Sequence, residues 1–406
     1  MEPTVAVVWD EQLSEYDFGH GHPLRPERAD LAVEMMRAVG LFDCPRVKLV
    51  PARPASDAEL VRVHDPDYVR CVAEASMGLG GGAMFWQYGL GTSDDPVFAG
   101  MHEAAARVAG ATLVGAELIR KGEALHAFVP SGGLHHAMRA NASGFCIYDD
   151  PAVAIAALLD AGAERVVYVD LDVHHGDGVQ AAFYENPRVL TISMHQTGAT
   201  LFPGTGYVDE IGWGAGRGYA VNLPLWPGTT DRVYLAAFRA LVPPLVGAYR
   251  PEVIVTQLGC DTHHSDPLAA LALTTNAYSV LARELHGLAH RVSEGRWLAT
   301  GGGGYRWLQV APRAWTIYAA EMAGLELPAA APEEFLLRLR ERFGQEPPRE
   351  FLDPPVVPGP EESHALAAAE AALASLRSTV FPVHGLPDAA APLTLADGER
   401  PAPPVR

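Results

Sequence analysis

Seven short runs of β-branched and aliphatic residues, at 4–9, 126–129, 165–169, 188–193, 219–223, 252–258 and 296–300, constrain this chain more than any other feature. Most are apolar almost without interruption, as strands buried on both faces are, whereas a strand with one wet face alternates. Between them lie Ala- and Leu-rich segments with helical spacing at 29–39, 100–121, 151–161, 230–249 and 275–294. Strand alternating with helix predicts an α/β fold on a mainly parallel sheet. With 49% hydrophobic and 19% charged residues over 406 positions, the chain can bury a large core, and no Pro- or Ser-rich linker divides residues 1–350. One domain is expected over that span. Residues 351–380 contain an Ala-rich helical stretch, read as a C-terminal extension, and 381–406 form a Pro-rich tail expected to be flexible.

Charge narrows the partners. Thirty Lys plus Arg against 49 Asp plus Glu give a formal net charge of −19, which phosphate backbones repel, so no nucleic-acid partner is expected. Cys44, Cys71, Cys146 and Cys260 show no CxxC spacing, which fits a reducing cytoplasmic setting rather than a disulfide framework. The first twenty residues lack the basic start and apolar run of a signal peptide, and no apolar stretch reaches about 18 residues, so no membrane association is expected.

In parallel α/β sheets ligands bind in the loops that follow the strands, and here those loops carry the unusual chemistry. One apolar run leads into Asp170-Leu-Asp172-Val-His174-His175-Gly-Asp177, another into Asp261-Thr-His263-His264-Ser-Asp266, and a third into four glycines, Gly301 to Gly304, followed by Tyr305. Residues two apart at a strand end project to the same side, so Asp172 and His174 can converge on one cation, with Asp261 as a third ligand. Such a set suits Zn²⁺, with Fe²⁺ as the alternative, because the donors are oxygen and nitrogen rather than thiolate. Singly, each group could cap a helix or pair with an arginine. Their recurrence at successive strand ends is what argues for a metal.

The pair His135-His136 follows Ser131-Gly132-Gly133-Leu134, and the glycines permit an irregular loop that aims both rings inward. Beside a metal such a pair can supply a base for an attacking water and an acid for a leaving nitrogen. The Tyr305 hydroxyl could stabilise an oxyanion. The glycines at 301–304 lack the ending of a phosphate-binding P-loop, and Gly214-Ala-Gly216-Arg-Gly218 lacks a βαβ context and reads as a turn.

These motifs together, HPLRPERA, GTSDDPVF, SGGLHHAMRANASGFC, YVDLDVHHGDGVQAAFY, SMHQ, FPGTG, YAVNLPL, CDTHHSDPLA and TGGGGY, span residues 20–315. Through them the chain resembles the histone deacetylase family of the arginase/deacetylase superfamily, most closely its bacterial acetoin-utilisation branch. The resemblance implies a single α/β domain with an eight-stranded parallel β-sheet flanked by helices. It implies Asp172, His174 and Asp261 as metal ligands, His135 and His136 as the acid/base pair oriented by Asp170 and Asp177, and Tyr305 as the carbonyl-polarising residue. Asp94 matches a rim aspartate that holds the substrate backbone, although Asp95 beside it blurs the alignment. Phe145 and Phe202 match the aromatic walls of a narrow channel, Leu268 its lip, and Gly144 and Gly303 its close backbone contacts. Structural potassium is implied at Asp170, Asp172, His174, Ser193 and Met194, and again at Phe183, Asn186, Val189 and Tyr219. Arg28 matches an internal acetate channel.

The implied reaction is hydrolysis of the acetyl amide of acetyl-lysine, without NAD and without a covalent enzyme intermediate, on metabolic enzymes such as an acyl-CoA synthetase. Three alternatives stay open. A two-metal ureohydrolase would want further carboxylates where His174 and His263 stand. An acetylpolyamine or other small-amide deacetylase shares the catalytic set and differs at the tunnel mouth, where residues 77–96 carry no long insertion and so favour an open rim. A non-catalytic acetyl-lysine reader would show a broken catalytic set. His263 and His264 either shape the tunnel or simply pack, and monomer and dimer are equally compatible with the sequence.

Overall fold

In the computed structural model, which describes residues 4–345, 347–388 and 392–395, the apolar runs form one sheet. Its strands are β1 (Val5–Val8), β2 (Val47–Val50), β3 (His126–Val129), β4 (Val166–Asp170), β5 (Val189–Gln196), β6 (Ala220–Leu225), β7 (Val253–Gln257) and β8 (Trp297–Thr300). Their order is β2-β1-β3-β8-β7-β4-β5-β6, and every pairing is parallel. All residues of β1, β3, β4, β5, β7 and β8 are buried, because helices cover both faces. The eight-stranded parallel sheet implied by the resemblance is the one observed.

β2 is the strand that the apolar-run reading misses. It lies at the sheet edge, where Lys48 and Leu49 are exposed, so it carries no continuous apolar signal, and a lysine there discourages pairing with another chain. The helix Ala311–Ala323 escapes for the opposite reason: twelve of its thirteen residues are buried, and no polar face remains to mark the period. The expected helices at 100–121 and 275–294 appear as Met101–Lys121 and Thr275–Val292.

Register sets up the site. Val129, Thr300, Gln257, Asp170 and Ser193 form one row across β3, β8, β7, β4 and β5. The four adjacent strands β3, β8, β7 and β4 therefore end at one level, β5 runs on to Gln196, and the loops that leave the four meet above that level.

The C-terminal segment is tied to this body by a buried carboxylate. Asp353 accepts from His263 Nε2, from Thr275 N and Oγ1, and from Arg313 Nη1, all at 2.9 Å. Burial pushes this carboxyl upward, but the His263 hydrogen bond and the Arg313 charge outweigh it and hold it well below the usual range. The helix Glu362–Thr379 packs on the helix Asp231–Tyr249 and on β6. Within the tail expected over 381–406, Phe381 is buried and His384 Nε2 donates to Gly218 O at 2.8 Å. Residues 389–391 and 396–406 of that tail lie outside the described residues. Among the described residues no helix is long and apolar enough to cross a membrane.

Candidate functional site

The loops after β3, β4, β7 and β8, four adjacent strands, bring the chemistry together. His174 Nδ1 lies 3.0 Å from Asp172 Oδ1 and 3.1 Å from Asp261 Oδ2, and one donor atom from each of the three falls within 4.8 Å of the others. The other Asp172 oxygen, Oδ2, accepts from Gln257 Nε2 (2.7 Å) and Gly303 N (2.6 Å), while Asp261 Oδ1 accepts from Val173 N (2.9 Å). Each carboxylate thus has one oxygen pinned by the protein and one turned toward His174. Burial opposes ionising Asp172, but the His135 and His174 imidazoles outweigh it and hold the carboxyl well below its ordinary range. Burial and the Asp172 charge raise Asp261 to about 7. Burial lowers His174, and the two carboxylates override it, raising the imidazole to about 10. Two carboxylates that pull a positive charge onto a buried ring form a cation-binding cluster. The surrounding backbone leaves room for nothing larger: a Cβ on Gly303 would stand 1.9 Å from Asp261 Oδ2, and one on Gly259 would stand 2.2 Å from Asp172 Oδ2. The donor set and the space fit a small divalent ion.

Beside this cluster sit the two histidines. The loop carrying them is drawn inward by Asp150, which accepts from Gly133 N (3.0 Å), Leu134 N (2.8 Å) and Thr112 Oγ1 (2.6 Å). Gly133 has φ +95° and passes so close to the loop after β8 that a Cβ would lie 2.9 Å from Gly302 Cα. His135 Nδ1 donates to Asp170 Oδ2 and His136 Nδ1 to Asp177 Oδ1, each at 2.7 Å. Asp170 Oδ2 also accepts from Tyr168 Oη at 2.8 Å. With both Nδ1 atoms protonated, the 3.1 Å contact between the two Nε2 atoms needs one proton shared between them. Burial and the charge of His135 lower His136 to about 4, whereas the Asp170 and Asp172 charges overcome burial and raise His135 to about 9. Two adjacent imidazoles are thereby driven to opposite protonation states.

Aromatic rings wall the approach. Phe202 meets His136 edge-on at 5.0 Å between centroids, Phe145 meets Tyr305 at 5.8 Å, and Tyr305 meets His174 at 6.4 Å. Phe145 adopts φ +69°, a conformation uncommon outside glycine, and Tyr16 Oη holds it there by donating to Phe145 O at 2.8 Å. Gly144 is required next to it, since a Cβ would lie 2.5 Å from His136 Cδ2 and 2.9 Å from Phe202 Cε1. Asp94 is exposed and its carbonyl accepts from His22 Nε2 at 3.1 Å, whereas Asp95 is buried and raised to about 8 by burial and the neighbouring Asp94 charge. Of the two, Asp94 is the one that faces solvent. Asp266 accepts from both Leu268 N (3.0 Å) and Tyr305 N (2.9 Å), joining the residue matched to the lip to the residue matched to carbonyl polarisation.

Ser193 and Met194 lie on β5, Ser193 opposite Asp170, and Phe183, Asn186, Val189 and Tyr219 cluster through turn and ladder bonds at the other end of that strand. Arg28, almost fully buried, donates to Gly302 O and stacks over Trp315, and it borders a cavity lined by Tyr16, Leu24, Ser131 and Leu134. His263 is buried against Asp353 and His264 is exposed, so His263 serves the packing of the C-terminal segment. Gln257, Asp150, Asp266 and Tyr16 went unassigned in the sequence reading. Gln257 and Asp150 did carry a signal, as a lone amide in an apolar strand and as an acid beside Pro151.

Comparison with known proteins shows the family of the chain. The family model described as the histone deacetylase domain matches residues 22–322. The acetoin utilization protein AcuC of Bacillus subtilis (strain 168) is 42% identical over 347 residues, covering 86% of this chain and 89% of its own length. The proteins of that name from Staphylococcus xylosus and Staphylococcus aureus (strain MRSA252) are 35% and 38% identical over 83% and 77% of this chain, and 88% and 79% of their own lengths.

Proposed function

The chain belongs to the histone deacetylase family, and from that premise we propose that it is a metal-dependent hydrolase of the acetyl amide of acetyl-lysine in proteins. The observation that carries the reading is the pair of histidines, each with its own carboxylate and sharing one proton, set beside the Asp172, His174 and Asp261 cluster. Asp172, His174 and Asp261 would hold Zn²⁺, with Fe²⁺ the alternative, and the bound ion would supply Lewis acidity to the acetyl carbonyl and acidity to water.

The protein's own groups account for the rest. Phe145 and Phe202 flank the four methylenes of the lysine side chain, Leu268 forms the lip, Asp94 holds the substrate backbone, and Gly144 and Gly303 allow close approach. Tyr305 donates to the carbonyl oxygen as charge develops on it. Neutral His136 takes a proton from the attacking water, and protonated His135 gives one to the departing amine. The proton left on His136 then returns to His135 across the 3.1 Å contact, toward the ring that the Asp170 charge favours in its protonated form. Asp170 and Asp177 fix the two tautomers. Acetate would leave past Arg28, whose charge attracts the anion.

Potassium is proposed at Asp170, Asp172, His174, Ser193 and Met194, and at Phe183, Asn186, Val189 and Tyr219; the alignment of Asp170 with Ser193 across β4 and β5 supports the first. The acetylated substrates would be metabolic enzymes, an acyl-CoA synthetase lysine foremost, and acetoin utilisation, the term in the relatives' name, would be the setting. A cytoplasmic location and a catalytic region over 1–350 with an extension over 351–380 complete the proposal.

The test compares an acetyl-lysine peptide with acetylputrescine on zinc-reconstituted protein, with Tyr305→Phe and Asp172→Ala alongside. The proposal expects peptide turnover, reduced by about 10² or more in Tyr305→Phe with metal content unchanged, and abolished in Asp172→Ala. Turnover of acetylputrescine alone moves the substrate to small amides. Loss of metal in Tyr305→Phe overturns the role given to that hydroxyl.

A further inference from the structure

A second cluster of imidazoles lies at the other end of β3 from His135 and His136. His126 opens that strand, and His286 and His290 project one turn apart from the helix Thr275–Val292. One ring nitrogen from each of the three falls within 4.8 Å of the others, and His286 Nε2 and His290 Nε2 are 3.1 Å apart. The ring centroids stand 4.8 to 5.2 Å from one another. Ligand atoms at 2.0–2.1 Å from a tetrahedral zinc are separated by about 3.3 Å, so the helical pair is already near coordination spacing.

Two further features point to a ligand. His126 is 1% exposed, and its Nδ1 has no hydrogen-bond partner, a costly condition for a buried polar atom. His286 Nδ1 donates to Glu321 Oε1 at 3.0 Å, from the helix Ala311–Ala323, which turns Nε2 toward the other two rings. A carboxylate on the far nitrogen of an imidazole is the arrangement that orients and strengthens metal-ligating histidines.

We propose that His126, His286 and His290 form a metal site separate from the Asp172, His174 and Asp261 cluster, binding a divalent ion that prefers imidazole, Zn²⁺ foremost. The exposed His290 is the entry side, and rotation of its ring closes the set. A bound ion would fasten the helix Thr275–Val292 to the start of β3, while Glu321 brings in a third element. Trp297 of β8, with ring centroids 6.0 Å from His126 and 6.3 Å from His286, is a built-in reporter.

The experiment is a zinc count per chain, by mass spectrometry, after dialysis against Zn²⁺ and then metal-free buffer. Wild-type protein, His290→Gln, His286→Gln and Asp172→Ala are compared, with deacetylation followed in parallel. The proposal expects His290→Gln and His286→Gln each to carry one zinc fewer than wild type while keeping deacetylation within twofold. Asp172→Ala is expected to keep the zinc that the two histidine variants lose. His290 is on the surface, so its variant reads the site even where His286→Gln misfolds. An equal zinc count in wild type and His290→Gln overturns the proposal, as does loss of the same single zinc in His290→Gln and Asp172→Ala.

Discussion

Replacing Gln257 by Leu tests how the candidate metal cluster is held, because no reacting group is touched. Gln257 Nε2 donates to Asp172 Oδ2 at 2.7 Å and to Gly133 O at 3.2 Å, and its Oε1 accepts from Gly259 N at 2.7 Å. Leu keeps similar bulk and removes all three bonds. Losing one of the two donors to Asp172 Oδ2, with Gly303 N remaining, should weaken metal affinity by about 10-fold or more, the usual effect of deleting a partner of a ligating group. The Gly259 amide is left buried and unpaired, which costs about 1–3 kcal/mol of stability. Zinc affinity measured by chelator competition should fall in Gln257→Leu, and urea denaturation in parallel reads the separate cost of the unpaired Gly259 amide. Affinity within twofold of wild type in Gln257→Leu would refute the idea that this amide positions Asp172.

Three further outcomes follow from the geometry. Gly144→Ala places a Cβ 2.5 Å from His136 Cδ2, so kcat/KM for an acetyl-lysine peptide should fall by at least about 10-fold while zinc content is retained. Asp353→Ala strands the buried Arg313 guanidinium and His263, and urea unfolding should show a loss of about 3–5 kcal/mol. Because Asp353 is held below its ordinary value, its contribution is present above the unfolded carboxylate pKa and is lost as pH falls through the folded one. His64 donates from Nδ1 to Met138 O and accepts at Nε2 from Asp149 N, both at 3.0 Å, and burial lowers it to about 4. Between pH 6.5 and 4 the unfolded chain binds a proton there that the folded protein refuses, so stability falls as pH drops. Relative to His64→Gln, wild type should lose about 2 kcal/mol between pH 7.5 and 5, and parallel stability profiles for the two proteins would contradict the assignment.

Structure is legible in this sequence where a physical requirement leaves a local trace. Strands buried on both faces show as unbroken apolar runs, whereas Asp172 and His174 meet in the bend that follows β4, where His174 N donates to Asp172 Oδ1 at 2.9 Å, and not through strand alternation. What escaped has causes of equal clarity. β2 is an edge strand with Lys48 and Leu49 in water, and the helix Ala311–Ala323 is buried on nearly every side, so neither shows the contrast on which periodicity depends. Gln257, Asp150 and Asp266 act through residues that are far away in sequence, and only register brings Gln257 level with Asp170. The assignment of roles to His135, His136 and Tyr305 drew on family resemblance, since two adjacent histidines or one tyrosine after glycines have ordinary uses as well. The cluster of His126, His286 and His290 had no linear signature, its members being 160 residues apart along the chain at the nearest crossing from β3 to the helix.

The strand order also dictates when the protein can exist as such. β8, made last, sits between β3 and β7 near the middle of the sheet, and it carries Tyr305 just beyond its end. A growing chain that has not yet released residues 297–300 therefore has two half-sheets with raw inner edges and no shared floor for the four loops. Such unpaired edges are templates for association with other chains, and closure across so long a stretch is slow. The four loops of the site therefore gain a common floor only when residues 297–300 pair with β3 on one side and β7 on the other.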